Sequence, residues 1–252
     1  MDREEPSATG RALVTGAAAG IGRQTALALA AAGYRVAACD RDQQGLAETV
    51  VAGTPHRIVP LSLDLGSEAG IAAAMDAAVE ALGTVDLLVN NAGVSLPKPA
   101  VDVDWTEWDT VMSVNLKGAF FMSCQFARHR MESGGGGAIV NLGSTHGIVG
   151  IADRSVYGIS KAGIMHMTRM LAVEWAVSCI RVNAIAPGTV MTPSRESMLA
   201  DPQARSRMLA RIPLGRFPTA EEVAQAVLYL AGPASNSVTG HILVLDGGTT
   251  VC

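Results

Sequence analysis

The residues of this chain whose types and spacing best suit chemistry are a tyrosine and a lysine one helical turn apart. Tyr157 and Lys161 stand at i and i+4 of a helical stretch, so both side chains project from one face. A free tyrosine has a pKa of about 10, and a neighbouring ammonium lowers the tyrosine pKa because it favours the phenolate. We expect Tyr157 to exchange a proton with an alcohol or carbonyl near neutral pH. Taken alone, the pair is more often a half-buried core tyrosine and a solvated lysine.

Ser144 adds a third polar group to this pair. It lies 13 residues before Tyr157 and just past an apolar run that reads as a strand. Its hydroxyl is suited to hydrogen-bond the substrate oxygen and to share the charge that develops there.

A glycine-rich turn forms a second chemical feature near the start of the chain. The first apolar run leads into residues 15–22, TGAAAGIG, where a helix begins. Gly16 permits a tight turn and the close approach of a phosphate, while Gly20 and Gly22 let the helix pack on the strand. The free N–H groups at the helix start, Ile21 among them, would then face a pyrophosphate. By itself such a turn is about as often a plain strand-to-helix connection.

An acidic residue supports the nucleotide interpretation of that turn. Asp40 ends the second apolar run, 18 residues beyond Gly22, where a carboxylate reaches the adenosine ribose diol of a dinucleotide. A carboxylate accepts hydrogen bonds from both hydroxyls and repels a 2′-phosphate, so NAD is favoured over NADP. Position 19 also favours NAD, because it holds an alanine where a basic side chain could have bound that phosphate. Arg41, a basic residue next to Asp40, weakly favours NADP instead, and we interpret it as a solvated surface charge.

The elements that must position these groups alternate along the chain. Short apolar runs, uninterrupted enough for strands buried on both faces, alternate with helical patterns. Such alternation predicts an α/β fold, a Rossmann-like doubly wound seven-stranded parallel sheet with helices on both faces. Residues 1–10 read as a loose tail and 11–252 as a single domain. The seven runs are 12–14, 36–39, 58–61, 87–89, 138–140, 182–185 and 242–245.

The helical patterns between these runs have recognisable ends. The first ends at Gly33, and others cover 67–83, 105–131 and 155–178. A last helix starts at Thr219, which is followed by acidic residues in the first turn.

Composition excludes several classes of function. The chain has 252 residues, 49% hydrophobic and 17% charged, which excludes a disordered or coiled-coil protein. A net charge of −4 and an aromatic share of 4% give no basic or stacking surface for nucleic acid. The four cysteines form no metal-ligand spacing, so no metal is expected. The charged start and the interrupted apolar runs favour a cytoplasmic protein without a membrane partner.

Several motifs occur together in a fixed order. Taken together they resemble the short-chain dehydrogenase/reductase family, over nearly the whole chain through 246–248. The resemblance implies a Rossmann-like single domain, a nicotinamide cofactor and the interconversion of a small alcohol and its carbonyl compound. The motifs are the Gly16/Gly20/Gly22 spacing, Asn90–Gly93 (NNAG), Asn115, Ser144, Tyr157–Lys161 (YGISK), Pro187-Gly188 and Thr192.

The same resemblance implies roles for individual residues. Asp64 and Leu65 would border the adenine, Asn91 the adenosine ribose, and Lys161 the nicotinamide ribose hydroxyls. Asn115 would bend its helix and hold a water in a proton relay to Lys161. The remaining cofactor-binding residues implied are Gly16, Gly20, Ile21, Gly22, Asp40, Ala92, Gly93, Tyr157, Pro187, Val190 and Thr192. Many members carry serine where this chain has Gly143, so the conformation of that loop is the point in doubt.

The substrate end has the weakest signals. A segment of about 190–213 follows the cofactor-contacting Thr192 and is expected to form a substrate lid. Within it Arg195, or alternatively Arg154 before the tyrosine, could clamp an anionic substrate. Solvated arginines on amphipathic segments are the more common alternative. His146 could contact substrate together with Ser144 and Tyr157, or could equally face water.

We expect an NAD-dependent dehydrogenase of a secondary alcohol, with a sugar, polyol or hydroxy acid as substrate. A reductase of 3-oxoacyl thioesters is an alternative within the same enzyme class, and a non-catalytic NAD-binding protein is an alternative outside it. Intact Ser144, Tyr157 and Lys161 count against the last. The resemblance also implies a homotetramer, built through the helices of 105–131 and 155–178 and the C-terminal strand.

Overall fold

The computed structural model describes residues 10–192 and 201–251. Its described residues contain one seven-stranded sheet, all parallel, in the order β3-β2-β1-β4-β5-β6-β7. The predicted Rossmann-like sheet is therefore confirmed. The strands are β1 (Arg11–Thr15), β2 (Arg35–Asp40), β3 (Ile58–Ser62), β4 (Leu87–Asn90), β5 (Gly137–Leu142), β6 (Ile180–Pro187) and β7 (Ile242–Leu245).

Helices cover both faces of this sheet, as the alternating pattern predicts. One buried cluster joins α3, α5 and α6 to one face, and the other joins α1, α2 and α8 to the opposite face. Leu13 belongs to the first cluster and its neighbour Val14 to the second, as expected for a strand buried on both sides. The helices are α1 (Gly20–Ala31), α2 (Gln43–Ala52), α3 (Glu68–Leu82), α4 (Trp105–Met112), α5 (Ala119–Glu132), α6 (Ser155–Trp175), α7 (Pro202–Leu209) and α8 (Ala220–Ala231).

Side-chain caps explain where several of these helices begin. Ser67 accepts a hydrogen bond from the Gly70 N–H and starts α3, and Thr219 forms a capping box with Glu222 at the start of α8. Both predicted starts are confirmed. Helix α2 was missed by the sequence analysis, because ten residues with a weak apolar stripe give little periodic signal. Its N-cap, Asp42, was the signal that could have found it.

The helix predicted over 105–131 is observed as one helical run from Trp105 to Glu132, but it is not α-helical throughout. Between α4 and α5 lies a π-helical segment, Ser113–Gly118, that contains the buried Asn115. Asparagine is a poor α-helix former, and its side chain here bonds outside the helix. At the position of the expected bend the helix carries a π-bulge, a feature that often marks functional sites. Helix α6 ends at Trp175, and a 3₁₀ turn at 176–178 completes the predicted span.

The expected lid is covered in part by the described residues. Helix α7 is followed by Ile212, which packs with Phe217, and the Leu214 N–H donates to the Gly247 carbonyl at 3.1 Å. Of the tail predicted over 1–10, residues 1–9 lie outside the described residues, as do positions 193–200 with Arg195 among them. Gly10 is buried, and its carbonyl accepts from the Arg35 N–H at 3.0 Å, so the ordered domain includes this residue. Among the residues described, no helix is long and apolar enough to cross a membrane, and no cluster of potential metal ligands occurs.

Candidate active site

A cleft of about 590 Å³ opens at the carboxyl ends of the parallel strands. The strand order changes direction between β1 and β4, and such a switch point is where open α/β sheets bind ligands. The cleft wall brings together most of the residues that the sequence predicts for the site, from the carboxyl ends of the first six strands with the segments that follow them, and from helix α6. Those that line it are Gly16, Gly20, Ile21, Asp40, Asp64, Leu65, Asn91, Ala92, Gly93, Ser144, Tyr157, Lys161, Pro187, Val190 and Thr192.

The turn after β1 depends on glycine for its shape. Gly16 has φ +69°, and a Cβ there would lie 2.8 Å from the Ala92 Cα, so a side chain would be strained and blocked. A Cβ at Gly22, in the first turn of α1, would overlap the carbonyl oxygen of Gly16. Gly22 is not part of the cleft wall; it allows α1 to start directly against the turn. This bare turn at a helix N-terminus is a cradle suited to a pyrophosphate.

Asn91 ties this turn to the loop after β4. Its side-chain amide donates to the carbonyls of Thr15 (2.9 Å) and Gly16 (3.1 Å). In return, the Thr15 hydroxyl accepts from the backbone N–H groups of Asn91 (3.0 Å) and Ala92 (3.1 Å). The side chain of Asn91 therefore has a structural task besides lining the cleft. Thr15 was missed as a site residue, and a threonine at a strand end gives no signal that singles it out.

Asp40 is held at the end of β2 by backbone amides. One carboxylate oxygen accepts from the Ala18 N–H and the other from the Asp42 N–H, each at 3.1 Å. The carboxylate thus bridges the glycine turn and the start of α2. Arg41 also lines this end of the cleft, beside Asp40.

Lys161 is the most buried charged group of the site. Its side chain lies 4% exposed, and Nζ donates to the Leu142 carbonyl at 2.7 Å. Nζ also lies 5.7 Å from the centre of the Tyr157 ring. Burial lowers the pKa of Lys161 below its ordinary value, and the charge interaction with Tyr157 opposes this. The i, i+4 pair therefore meets at the cleft, with the amine inside and the half-buried phenol beside it.

Ser144 and His146 surround the same tyrosine. The Ser144 hydroxyl accepts a hydrogen bond from the His146 N–H at 3.2 Å, which leaves its own O–H available to donate. The His146 and Tyr157 rings meet edge to face, 5.6 Å apart. His146 does not form part of the cleft wall. The backbone N–H of Gly143 donates to the Ile185 carbonyl at 2.7 Å, so the loop continues the sheet pairing there.

Asn115 lies behind the cleft wall and connects three elements. Its Oδ1 accepts from the Val94 N–H at 2.7 Å, and Nδ2 donates to the Val94 carbonyl (2.9 Å) and to the Ser160 hydroxyl (3.0 Å). The π-bulge turns this side chain inward, so that it joins the loop after β4 to helix α6. That helix carries Tyr157 and Lys161, and Asn115 therefore helps to set their position.

Comparison with known proteins agrees with this geometry. Residues 16–250 match a family model described as enoyl-(acyl carrier protein) reductase. The chain is 40% identical to 3-oxoacyl-(acyl-carrier-protein) reductase of Thermotoga maritima, over 95% of this chain and 97% of that one. It is 42% identical to galactitol 2-dehydrogenase (L-tagatose-forming) of Cereibacter sphaeroides, over 95% and 94% respectively.

Two solved structures show the same fold. A protein from Sinorhizobium meliloti described as a short-chain alcohol dehydrogenase superposes with a TM-score of 0.93 at 44% identity, covering 97% of both chains. A protein from Agrobacterium tumefaciens described as a 2-deoxy-D-gluconate 3-dehydrogenase, with bound NADP, has a TM-score of 0.88 at 36% identity, covering 97% of this chain and 98% of the other.

Fold, cleft and relatives together define a nicotinamide-dependent oxidoreductase. The chain belongs to the short-chain dehydrogenase/reductase family, and it interconverts alcohols and ketones.

Proposed function

We propose that this protein oxidises a small secondary alcohol to a ketone with NAD, and that Tyr157, Lys161, Ser144 and Asn115 carry the reaction. The observation behind this proposal is the buried Lys161 amine, 5.7 Å from the Tyr157 ring centre, at the wall of a glycine-cradled cleft. A buried lysine without a carboxylate partner is costly, so its place beside a phenol argues for a functional pair.

The described cleft fits a dinucleotide along its length. The ends of β2 and β3, which carry Asp40 and Asp64, lie on one side of the glycine turn, and Tyr157 lies on the other side, towards β4 and β5. Thr192 lies against Gly20 of the turn itself. When bound, the nicotinamide ring supplies the hydride acceptor for oxidation or the hydride donor for reduction. Asp64, Leu65, Asn91 and the Pro187–Thr192 loop would hold the cofactor, as the family resemblance implies.

Tyr157 acts as the acid/base group in this proposal. In the oxidising direction its phenolate removes the hydroxyl proton as a hydride leaves the carbinol carbon, which leaves a ketone. In the reducing direction the phenol returns that proton to the oxygen. The Ser144 O–H donates to the same oxygen and shares the charge there.

Lys161 and Asn115 support the tyrosine. The Lys161 ammonium would stabilise negative charge that develops on the tyrosine oxygen, and its donors not used by Leu142 are suited to the nicotinamide ribose hydroxyls. Asn115, fixed to Val94 and Ser160, holds α6 and its neighbouring loop in register, next to the path of the proposed water relay.

Tyr157→Phe tests this assignment directly. We expect turnover to fall roughly 100- to 10,000-fold, the usual contribution of a general acid or base. Affinity for NADH, measured by fluorescence titration, should stay close to wild type because the ring is kept. A variant that retains a tenth of the wild-type kcat would show that another group moves the proton.

NAD is the proposed cofactor because Asp40 is fixed at the ribose end, and NADP is the alternative. The Agrobacterium tumefaciens structure with bound NADP and the presence of Arg41 beside Asp40 support that alternative. A kcat/KM that is higher with NADP than with NAD would show that NADP is the preferred cofactor.

A sugar, polyol or hydroxy acid is the proposed substrate class, which the galactitol and deoxygluconate relatives support. The Thermotoga maritima relative supports the second candidate, reduction of a 3-oxoacyl thioester. Absorbance at the NADH band with alcohols and with an acetoacetyl thioester separates the two.

We also propose a single domain over 11–252 with a lid at about 190–213, and a homotetramer. Exposed apolar side chains on the α4 and α6 surfaces, among them Trp105, Met170 and Val173, support association through these helices. Light scattering of the purified protein measures the assembly. A cytoplasmic location remains a prediction from the sequence.

A further inference from the structure

We infer that Arg154 is the anion-binding residue of the substrate site, and that the alcohol this enzyme prefers carries a carboxylate. The inference rests on the proposed function, because it assigns the charge of the substrate at that same site. It starts from one contact at the cleft rim: Arg154 Nη1 donates to the Ser95 hydroxyl at 2.9 Å.

This contact places the guanidinium beside Ser95, a residue of the cleft wall, although Arg154 itself does not line the cleft. Arg154 is the N-cap residue of α6, three residues before Tyr157, so it lies within one helical turn of the proposed acid/base group. Ser95 belongs to the loop after β4 and lines the cleft. A further bond, from the Lys98 N–H to the Asp153 carbonyl at 2.9 Å, joins the same two segments. The position of Arg154 is therefore set by two chain segments.

Within the described part of the chain, the nearby charged groups leave Arg154 without an ion-pair partner. Lys98, on the same loop, is neutralised by Glu107, whose two carboxylate oxygens each lie 2.8 Å from Nζ. Glu107 is further occupied by the capping box with Asp104. Across 10–192 and 201–251, no carboxylate lies within ion-pair distance of Arg154. Ser95, its hydrogen-bond partner among the residues that the structure describes, is a neutral hydroxyl and does not compensate the charge.

The chemistry of the group indicates what it would bind. A guanidinium presents a planar fork of N–H donors that matches a carboxylate or a phosphate, and Ser95 uses only one of them. Tyr157 and Ser144 require an alcohol or carbonyl oxygen near the same helix end. A small hydroxy acid satisfies both demands: its hydroxyl carbon faces Tyr157 while its carboxylate meets Arg154. A phosphorylated alcohol offers the same anionic oxygens with a larger headgroup.

Substrate pairs that differ only in charge test this inference. We would measure kcat/KM with 2-, 3- and 4-hydroxy acids, each beside its methyl ester, and with glycerol phosphate as the phosphate probe. Wild type should prefer at least one acid over its ester. Arg154→Ala should lower kcat/KM for that acid roughly 10- to 100-fold, the loss expected for a hydrogen bond to a charged group. The ester should change less than about threefold, and Arg154→Lys should recover part of the loss because the charge remains.

Arg128→Ala is the matched control. Arg128 is an exposed arginine whose Nη1 also donates to a neutral side chain, Gln125 Oε1 at 2.9 Å. It lies near the C-terminal end of α5, which leads into the amino end of β5, opposite the carboxyl ends where the cleft opens. It should leave both substrates unchanged. Thermal melting of each variant separates an effect on folding from one on recognition.

Three results would overturn the inference. The first is a wild-type preference for the esters or for neutral polyols. The second is an equal loss of kcat/KM for acid and ester in Arg154→Ala. The third is a higher kcat/KM for glycerol phosphate than for every acid, which would assign a phosphate to the site instead of a carboxylate. If wild type turns over none of these compounds with either cofactor, the proposed function fails on its own. In that case, calorimetric titration of the acids into the protein with NAD tests the anion site separately. We expect the wild type to bind at least one acid and Arg154→Ala to lose this binding.

Discussion

The two ends of the cleft are built in different ways. At the nucleotide end, backbone atoms do most of the positioning: Gly16 has a positive φ, and Asp40 is held by two backbone amides. At the substrate end, side chains from separate segments meet: Ser144 follows β5, Tyr157 lies on α6, and Ser95 follows β4. An end of the cleft that is shaped by backbone atoms can bind the same cofactor throughout a family, because most substitutions leave the backbone unchanged. An end that is shaped by side chains can change its substrate through single substitutions.

Lys161 stands where the two ends meet, and its replacement should have the largest effect among those considered below. Lys161→Met keeps the apolar stem and removes the charge, so kcat/KM should fall roughly 100-fold or more. Affinity for NAD should fall as well, because the proposed ribose contact is lost, unlike in Tyr157→Phe. Steady-state kinetics and cofactor titration check both. Unchanged cofactor affinity would remove Lys161 from the nucleotide end.

The pH dependence of stability gives a second readout for Lys161. Because burial lowers the folded-state pKa of this amine below that of the unfolded chain, the unfolded state binds more protons between the two pKa values. The free energy of unfolding should therefore rise with pH across that window, up to about 10.4, the pKa of a free lysine. Lys161→Met should lack this rise. Urea titrations of both proteins from pH 7 to pH 10 measure it, and parallel curves would contradict the prediction.

Gly16→Ala tests the backbone-built end. The positive φ at residue 16 costs an alanine about 1–2 kcal/mol, and the Cβ would press on Ala92. Because the new Cβ would push the turn away from Ala92 and displace the backbone that must hold the pyrophosphate, we expect the Kd for NAD to rise about tenfold, which corresponds to about 1.4 kcal/mol. Gly83→Ala is the matched control, because Gly83 has φ +85° and open space around it at the end of α3. The control should lose stability and keep its cofactor affinity.

Asp40→Asn sharpens the cofactor assignment. Removing the negative charge while keeping the shape should raise the ratio of NADP to NAD kcat/KM about tenfold, because repulsion of the 2′-phosphate disappears. Asp42→Asn, a neighbouring aspartate that caps α2, is the control for charge and should leave the ratio unchanged. A ratio that moves equally in both variants would mean that general charge, rather than Asp40, selects the cofactor.

Ser95→Ala should have the smallest effect. It removes the partner that holds Arg154 over the rim but leaves the cation itself, so kcat/KM for a hydroxy acid should fall only about two- to fivefold. The matching methyl ester should be unaffected. A loss as large as that of Arg154→Ala would mean that the serine itself contacts substrate.

Much of the fold and of the site could be predicted from the sequence, because both depend on local patterns. Continuous apolar runs mark strands buried on both faces, and the spacing of Gly16, Gly20 and Gly22 marks the turn. The i, i+4 spacing places Tyr157 and Lys161 on one helical face whatever the rest of the chain does. Helix α2 was not predicted because its apolar periodicity is weak, although its N-cap residue, Asp42, can be recognised in the sequence.

Other features depend on contacts between distant segments and left no local signal. The π-bulge at Asn115 exists because its side chain bonds Val94, 21 residues away, and Ser160, 45 residues away. The pairing of Arg154 with Ser95 spans 59 residues, so nothing near either residue indicates it.

The sequence by itself determined the class of this enzyme, since the periodicity of its apolar residues and the spacing of its glycines, tyrosine and lysine act within one strand, turn or helix. Only the tertiary structure decided that the Lys161 amine is buried against the Leu142 carbonyl, and that Arg154 lies beside Ser95 of the cleft wall with no carboxylate within ion-pair distance in the described residues. Burial and charge pairing are set by which segments the folded sheet brings together, and no local pattern encodes them.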